Sequence, residues 1–270
     1  MGKGASSRWS FVRRHQRVEP IVIAGAGGFS REVAQTIAAI NAVRPTWELL
    51  GFVDDDPSLI GASVGGVEVI GPVELLQTAV AHAKVVVCTG RPANYFSRPM
   101  IVQRLGLPPW RYATLVHPSV SLAASAEVGH GTVILAGTVV TANARISSHV
   151  AIMPATVITH DDDIGDFSTL ASGVKLGGSV RIGRGAYIGA GALLREGISV
   201  GDWSLVGMGS VVTRSVPVAE KWFGAPARAQ GVVNVPGDIV RPAGVSGYPL
   251  SALVIEKGHG WAGAVAETGS

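Results

Sequence analysis

The sequence predicts a small α/β domain of the Rossmann kind, followed by a parallel β-helix. Three observations carry this prediction. From Val116 to Val218, every sixth residue is aliphatic without one interruption. Between residues 21 and 115, apolar runs of strand length alternate with segments of helical periodicity. A glycine-rich turn joins the first strand of that region to its first helix.

The period of six indicates the β-helix. A six-residue unit makes one short strand and one turn, and its single inward side chain is buried only when other units stack on it. Three units close one coil, so the eighteen units predict about six coils. Glycine often follows the inward residue. We expect small residues to let the backbone turn at the corners, and glycine to supply the positive φ angles there. Because no unit is interrupted, we expect any site to lie between subunits or between domains.

The α/β region contains four predicted strands and three predicted helices. The strands are Ile21–Ala24, Leu49–Val53, Val67–Ile70 and Val85–Cys88, and the helices are Phe29–Val43, Pro72–His82 and Pro92–Leu105. Such alternation is typical of a parallel sheet covered by helices. The region is short for a complete dinucleotide fold, which favours binding of a mononucleotide part.

The turn after the first strand is the main ligand signal of this region. Gly25, Gly27 and Gly28 precede a helix, whose first N–H groups attract phosphate. Asp54 or Asp55, at the tip of the next strand, is placed to accept hydrogen bonds from a ribose or a uracil-like ring. The third glycine of the dinucleotide fingerprint is missing, so a purely structural turn stays open as an alternative.

Composition and charge exclude several classes of partner. The net charge of +3 arises in residues 1–20, which hold five basic residues and one acidic residue. The remaining chain is nearly neutral, which gives nucleic-acid binding little support. The single cysteine, Cys88, excludes intrachain disulfides and fits a reducing compartment. No apolar run reaches the length of a membrane span. We therefore expect a cytoplasmic protein with a flexible basic extension over residues 1–20.

Three histidines in the β-helix are candidates for chemistry. His130 and His149 lie at about the same corner one coil apart, but no third metal ligand is evident, so we interpret them as corner residues. His160 follows the inward Ile158 by two positions, faces outward and precedes Asp161. A carboxylate orients one ring nitrogen and raises the basicity of the other, which can then deprotonate a hydroxyl or an amine. A solvated acidic turn with an incidental histidine is the alternative.

Several segments together resemble one enzyme family. They are Val157–Asp161, Ile164–Phe167, Ile188–Gly191 and Gly224–Arg228, in addition to the glycine-rich domain and the unbroken repeat. Over about residues 20–230 the chain is similar to the sialic-acid O-acetyltransferase and nucleotide-sugar N-acetyltransferase family. The resemblance implies a left-handed β-helix, a homotrimer, acetyl-CoA as donor and active sites between neighbouring subunits.

The resemblance also implies roles for single residues. His160 matches the general base, and Asp161 matches the acid that raises its basicity. Matches to positions that line the acetyl-CoA groove are Gly178, Ala190 and Met208. Matches to positions that hold the sugar nucleotide are Gly25, Gly27, Gly28, Asp54, Asp55 and Gly90.

Three residues depart from the family pattern. Phe29 stands at an acceptor position where many members carry histidine. Thr169 replaces a histidine that contacts the acetyl donor in some relatives, and Met208 stands where glycine is common. These departures leave the predicted base in place and leave the acceptor open.

We therefore expect four segments: a basic extension over 1–20, a nucleotide-binding domain over 21–115, a β-helix acyltransferase domain over 116–228 and a C-terminal extension over 229–270. The expected activity is metal-free transfer of an acetyl group from acetyl-CoA to an amino or hydroxyl group of a nucleotide-linked sugar.

One alternative is an acyltransferase with a different acceptor, such as a secondary metabolite or a free sugar, which the presence of Phe29 favours. A second is a non-catalytic nucleotide-binding trimer. An NAD-linked oxidoreductase is disfavoured because the fingerprint is incomplete and no catalytic domain follows.

Overall fold

A computed structural model describes residues 18–237, in which an N-terminal α/β region precedes a left-handed hexapeptide-repeat β-solenoid. The elements of the α/β region are β1 (Glu19–Ala24), α1 (Gly28–Val43), β2 (Trp47–Val53), β3 (Ser63–Val64), β4 (Val67–Gly71), β5 (Lys84–Val87) and α2 (Ser97–Leu105). Five strands form one sheet in the order β3-β4-β2-β1-β5, parallel except at the β3–β4 edge. The predicted strands and the first predicted helix are confirmed.

The other two predicted helices are wrong over part of their length. Between Pro72 and His82 only a short 3₁₀ helix forms, at Val73–Gln77. The chain then turns back toward β5, with the Val80 amide bonded to Leu75 O at 3.1 Å. Helix α2 begins at Ser97 rather than at Pro92, because a turn precedes it in which the Asn94 amide bonds to Arg91 O at 2.7 Å.

The solenoid is built from seventeen strands of two residues each. They are β6 (Leu115–Val116), β7 (Ser121–Leu122), β8 (Glu127–Val128), β9 (Val133–Ile134), β10 (Val139–Val140), β11 (Arg145–Ile146), β12 (Ala151–Ile152), β13 (Val157–Ile158), β14 (Asp163–Ile164), β15 (Thr169–Leu170), β16 (Lys175–Leu176), β17 (Arg181–Ile182), β18 (Tyr187–Ile188), β19 (Leu193–Leu194), β20 (Ser199–Val200), β21 (Leu205–Val206) and β22 (Val211–Val212). A hairpin of β23 (Glu220–Gly224) and β24 (Ala227–Val232) follows. Each short strand pairs in parallel with the strand eighteen residues away, as Val139 does with Val157. The predicted coil length is therefore confirmed.

The three sheets give the solenoid three faces of different chemistry. In each two-residue strand the second side chain points inward and the first points outward. The covered face presents Leu115, Val133, Ala151, Thr169, Tyr187 and Leu205. The apolar face presents Ser121, Val139, Val157, Lys175, Leu193 and Val211. The charged face presents Glu127, Arg145, Asp163, Arg181 and Ser199. The α/β region packs on the covered face, where the first four outward residues are buried.

The inward aliphatic column forms the core and ends sooner than the repeat predicts. From Ile134 to Val212 every inward residue is at most 4% exposed. The next residue in the six-residue register, Val218, is 46% exposed, and Val216 is buried in its place. Val216 bridges to Val200 sixteen residues earlier, so the last coil is two residues shorter. The prediction of an inward Val218 is therefore wrong.

Glycine supplies positive φ angles at the corners, as predicted, and other residues do so equally often. Left-handed backbone recurs three residues after each inward position from Val128 to Val206, at seven glycines and at seven other residues such as Asn143 and Asp161. The glycines directly after the inward residue are needed for close packing between coils. A Cβ at Gly189 would lie 2.5 Å from the amide nitrogen of Met208 on the next coil. The predicted role of glycine at positive φ is therefore confirmed for half of these corners, while the glycines directly after the inward residue serve close packing.

The register shift near the end of the solenoid can be tested by substitution. Val216→Ala should lower the free energy of unfolding by about 2 kcal/mol, because it removes two buried methyl groups. Val218→Ala at the exposed position should change it by less than about 0.5 kcal/mol. Urea denaturation followed by circular dichroism measures both. Equal losses would mean that both side chains share the core.

Candidate active site

His160 and Asp161 form a hydrogen-bonded pair at one corner of the solenoid. The corner follows β13, on the border between the apolar face and the charged face, and both side chains are exposed. The Nδ1 atom of His160 lies 2.9 Å from the carboxylate of Asp161. Asp161 has φ 61°, a left-handed conformation that aspartate tolerates better than most residues. The predicted pair is thus brought together by the shape of the corner.

The surroundings of Asp161 keep its carboxylate ionised. The pair with His160 and a hydrogen bond donated by Asn143 Nδ2, at 3.2 Å, lower the pKa of Asp161. An ionised carboxylate accepts the Nδ1–H of a neutral imidazole, which leaves Nε2 as the acceptor nitrogen. The His160 side chain is 64% exposed, so a substrate proton can reach that nitrogen.

Gly178 lies directly under the ring of His160, one coil further on. A Cβ at Gly178 would collide with the Cε1 and Nε2 atoms of His160. The glycine is therefore needed for space, because any side chain there would displace the ring. The eighteen-residue spacing of the two residues predicts this stacking, and the structure has it.

Asp162 is a residue of this corner that sequence reasoning missed. It is 1% exposed and accepts the amide N–H groups of Thr159 at 2.7 Å and Val180 at 2.8 Å. Burial raises its pKa to about 6, and the two backbone hydrogen bonds oppose that rise. Asp162 ties the coil of His160 to the next coil. The signal was present in the sequence, because this position, two before the inward Ile164, is small or aliphatic in the other coils.

Ala190 and Met208 stack at a second corner, between the covered face and the apolar face. The amide of Gly209 bonds to Ala190 O at 2.8 Å, which fixes the two coils in register. Met208 is 79% exposed. Both residues line a cleft of about 630 Å³ that the turn Pro92–Phe96 closes on its other side. Its aromatic lining consists of Tyr95, Phe96, Tyr187 and Phe223.

Thr169 lies on the covered face, away from both corners. It is 6% exposed, and its Oγ1 atom accepts a hydrogen bond from Arg98 Nη2 at 2.7 Å. The hydroxyl therefore serves the contact between the α/β region and the solenoid. A contact of Thr169 with acetyl-CoA stays a prediction.

The glycine-rich turn and Asp54 form one local structure at the carboxyl end of the sheet. The Asp54 carboxylate accepts the Ala26 amide at 2.8 Å, and the Gly25 amide bonds to Val53 O at 2.7 Å. Gly27 and Gly28 are exposed at the start of α1. A Cβ at Gly27 would meet no atom within 4 Å, so packing within the chain does not require glycine there.

The remaining predicted acceptor-binding residues do not all lie beside the glycine-rich turn. Gly90 has φ 120° and follows β5, in the loop that borders the glycine-rich turn. Phe29 is partly buried against the core of the sheet. Asp55 is paired with Arg104 at 2.6 Å and accepts the Val73 amide at 3.2 Å. Gly90 thus joins the turn, whereas Asp55 is engaged by the neighbouring α2.

The other two candidate histidines have no site geometry. His149 is buried, stacks on Phe167 with ring centroids 4.9 Å apart and meets the edge of Tyr112 at 4.6 Å. Burial lowers its pKa to about 4, so the ring is neutral near pH 7. His130 is exposed. Within residues 18–237 no group of three potential metal ligands is found, and no helix is both long and apolar enough to cross a membrane.

Comparison with known proteins decides the family. The PglD N-terminal domain profile matches residues 20–102, and the profile for the hexapeptide repeat of succinyl-transferase matches residues 179–214. The chain is 30% identical to the acetyltransferase domain of PglB from Neisseria gonorrhoeae, with 78% of this chain and 99% of that one covered and a TM-score of 0.70. The chain belongs to the hexapeptide-repeat acetyltransferase family.

Two further solved acetyltransferase-like structures agree with this assignment. PerB from Caulobacter crescentus, in complex with CoA and GDP-perosamine, is 26% identical over 80% of this chain and 99% of its own, with a TM-score of 0.70. WeeI from Acinetobacter baumannii is 27% identical over 78% of this chain and 100% of its own, with a TM-score of 0.66. Among curated proteins, no sequence matches the chain.

This acetyltransferase is an acyl-CoA-dependent enzyme. The PglB domain also has a structure in complex with acetyl-CoA, which this chain matches at 30% identity over 79% of its length. The predicted family, fold and enzyme class are therefore confirmed. The alternatives of a non-catalytic trimer and an NAD-linked oxidoreductase are set aside.

The buried Asp162 of the acetyltransferase predicts a measurable pH dependence. Its pKa is 3.8 in its ordinary state and about 6 in the folded protein. Between these values Asp162 is protonated in the folded protein and ionised in the unfolded chain. The stabilisation of the folded state by this proton is therefore present near pH 4 and is lost as the pH rises through about 6. Asp162→Asn has no such group. The free energy of unfolding of the wild type should therefore fall relative to the variant between pH 4 and 7.

Urea titrations of both proteins at several pH values measure this difference, since contributions of other groups cancel in it. A difference that stays constant across the range would contradict a raised pKa at Asp162.

Proposed function

We propose that the enzyme transfers the acetyl group of acetyl-CoA to an amino or hydroxyl group of a nucleotide-linked sugar, with His160 as general base. The observation that carries this proposal is the outward His160–Asp161 pair over Gly178. The related PerB structure contains both CoA and GDP-perosamine, which supports a nucleotide-linked acceptor. The exposed glycines at the start of α1 support it as well, since a helix N-terminus favours phosphate.

The proposed reaction is direct acyl transfer. Nε2 of His160 accepts a proton from the acceptor N–H or O–H group while the nitrogen or oxygen attacks the thioester carbonyl carbon. The carbon–sulfur bond then breaks, and the CoA thiolate takes the proton from the imidazolium. Asp161, held on Nδ1, stabilises that imidazolium. In the proposed reaction, a backbone N–H near Gly178 stabilises the oxyanion of the intermediate.

The faces of the solenoid support a homotrimer. The apolar face presents Val139, Val157, Leu193 and Val211 outward, beside Ser121 and Lys175, and Leu193 is 44% exposed there in the single chain. The charged face carries the Arg145–Asp163 pair, at 3.0 Å, and suits contact with water. The covered face is occupied by the α/β region. We therefore place the apolar face on a common threefold axis, where it is buried against two other copies.

This arrangement brings the two candidate corners together across each interface. The corner of His160 and Gly178 lies on one border of the apolar face, and the corner of Ala190 and Met208 lies on its other border. When three prisms turn the same face to one axis, the first corner of one copy meets the second corner of its neighbour. Acetyl-CoA would then bind between them, and each active site would take residues from two subunits.

The domain roles follow from the same placement. We assign residues 21–115 to acceptor binding and 116–228 to acetyl transfer, with Gly25, Gly27, Gly28, Asp54 and Gly90 around the nucleotide. Residues 1–17 and 238–270, most of the two predicted extensions, lie outside the described residues. An acceptor without a nucleotide is the second candidate, because Phe29 stands where many family members carry histidine and its ring packs against the core of the sheet. Thermal-shift assays with UDP-, GDP- and dTDP-sugars separate the two.

The role of His160 predicts a specific kinetic effect. His160→Ala should lower kcat by about 10²–10⁴-fold, because general-base catalysis is lost. The dissociation constant of acetyl-CoA should stay within about twofold, since the backbone of the groove is unchanged. Thiol release from acetyl-CoA with a panel of amino and hydroxy sugars, free and nucleotide-linked, measures turnover. His130→Ala, at another exposed corner, is the matched control, and unaltered turnover in His160→Ala would remove His160 from the mechanism.

The proposed trimer predicts that a carboxylate introduced on the apolar face disrupts assembly, whereas one on the charged face does not. Leu193→Asp places a carboxylate on the apolar face and should convert the assembly to monomers without acetyl transfer. Ser199→Asp, at the matching position of the charged face, should leave mass and turnover unchanged. Size-exclusion chromatography with light scattering measures the mass.

Sharing of the active site can be tested by mixing subunits. His160→Ala and Ala190→Trp should each be nearly inactive alone, and subunit exchange between them should restore part of the turnover. In a mixed trimer some grooves receive an intact corner from each of two copies. No recovery after confirmed exchange would place both corners in one subunit's own site.

A further inference from the structure

Arg98 is a buried cation at the contact between the α/β region and the solenoid. It lies in the first turn of α2 and is 2% exposed. Its Nη2 atom donates to Phe167 O at 3.0 Å, Ser168 O at 3.1 Å and Thr169 Oγ1 at 2.7 Å, all on the solenoid. Its Nη1 atom donates to Thr89 O at 3.4 Å. One guanidinium thus spans both domains.

No carboxylate neutralises this guanidinium among residues 18–237, where every acceptor it contacts is an uncharged oxygen. Burial lowers its pKa to about 10, which still leaves it charged at neutral pH. Burying an unpaired charge costs free energy, and apolar replacements of buried ionic groups are often neutral or stabilising. Ser168 O also keeps a backbone bond from the Ala151 amide, at 3.0 Å, without Arg98. Fold stability alone therefore accounts poorly for a guanidinium at this place.

The loop that Arg98 reaches lies beside the glycine-rich turn. Thr89 precedes Gly90, and a Cβ at Gly25 would lie 2.9 Å from Thr89 Cγ2. Any shift of the Thr89–Gly90 loop would therefore alter the space next to Gly25. On the other side, Arg98 contacts the solenoid at β15, whose pairing partner β12 is in register by backbone bonds. The guanidinium connects the predicted nucleotide site to the rigid part of the enzyme.

We propose that Arg98 is a positioning residue for the acceptor, which holds the Thr89–Gly90 loop at a fixed place on the solenoid. This inference rests on the proposed function, because it requires a nucleotide-linked acceptor in the α/β region. It adds a residue that contacts neither substrate and acts through the backbone of the loop. The planar guanidinium donates in two directions at once, which a lysine ammonium at the same place does not reproduce.

Calorimetric titration of UDP, GDP and dTDP into the full-length enzyme tests the proposal. Arg98→Met should raise the dissociation constant of the best-bound diphosphate by about tenfold or more, as expected when hydrogen bonds to a charged group are lost. The dissociation constant of acetyl-CoA should stay within about twofold. Arg98→Lys retains the charge and should behave like Arg98→Met, because the two-directional contact is lost.

Arg111→Met is the matched control. Arg111 is 5% exposed and also donates only to carbonyl oxygens, those of Ala83 at 2.9 Å and Leu76 at 3.1 Å. These acceptors lie at the amino end of β5, away from the glycine-rich turn. Arg111→Met should leave diphosphate affinity unchanged, whether or not it shifts the midpoint of thermal unfolding.

The outcomes separate this inference from the proposed function. Diphosphate binding by the wild type with unchanged affinity in folded Arg98→Met or Arg98→Lys overturns the positioning role alone. Failure of the wild type to bind any of the three diphosphates overturns the nucleotide-linked acceptor and the inference with it. If Arg98→Met does not fold, Thr169→Val removes only the shortest of the four contacts, and it should raise the same dissociation constant by about threefold. Unchanged affinity in that variant would also overturn the inference.

Discussion

Burial of one aliphatic side chain in every six residues is the constraint on which this enzyme depends. A single unit has nothing to pack against, so the chain must return to the same position after eighteen residues and stack. Each buried valine, leucine or isoleucine contributes about 1.5–3 kcal/mol when fully removed from water. Fourteen consecutive inward positions between Ile134 and Val212 are at most 4% exposed, which makes the stack rigid along its length. The candidate site inherits this rigidity.

The candidate site residues lie at the corners of the stack. A left-handed residue at each corner turns the backbone and presents the neighbouring side chains outward. At the His160 corner, the left-handed residue is Asp161, so the conformation that turns the chain also places a carboxylate on Nδ1. Asp162 ties the same corner to the next coil from inside, and Gly178 leaves room for the ring. His160, Asp161, Asp162 and Gly178 thus provide the imidazole, its carboxylate partner, the link to the next coil and the space for the ring.

The division of the solenoid into three faces links folding to assembly. One face is buried by the α/β region, one is charged, and one presents valine and leucine outward. The two corners proposed to hold the acetyl donor border the apolar face on opposite sides. Oligomerisation and completion of the site are therefore one event in the proposed enzyme. In the same proposal, the acceptor site also depends on a contact with the solenoid. Arg98 makes this contact, because it joins a loop of the α/β region to the covered face.

The sequence alone determined the coil, the inward column and the candidate base, because a strict period of six leaves one solution for burial and places His160 at a corner. The outward residues also repeat every eighteen positions, so the three faces were present in the sequence and were overlooked. Only the tertiary structure decided the rest. Val216 replaced Val218 because the last coil pairs two residues early, and the glycines after inward residues serve packing between coils instead of positive φ. The contacts of Arg98 join residues about seventy positions apart, which no local pattern encodes.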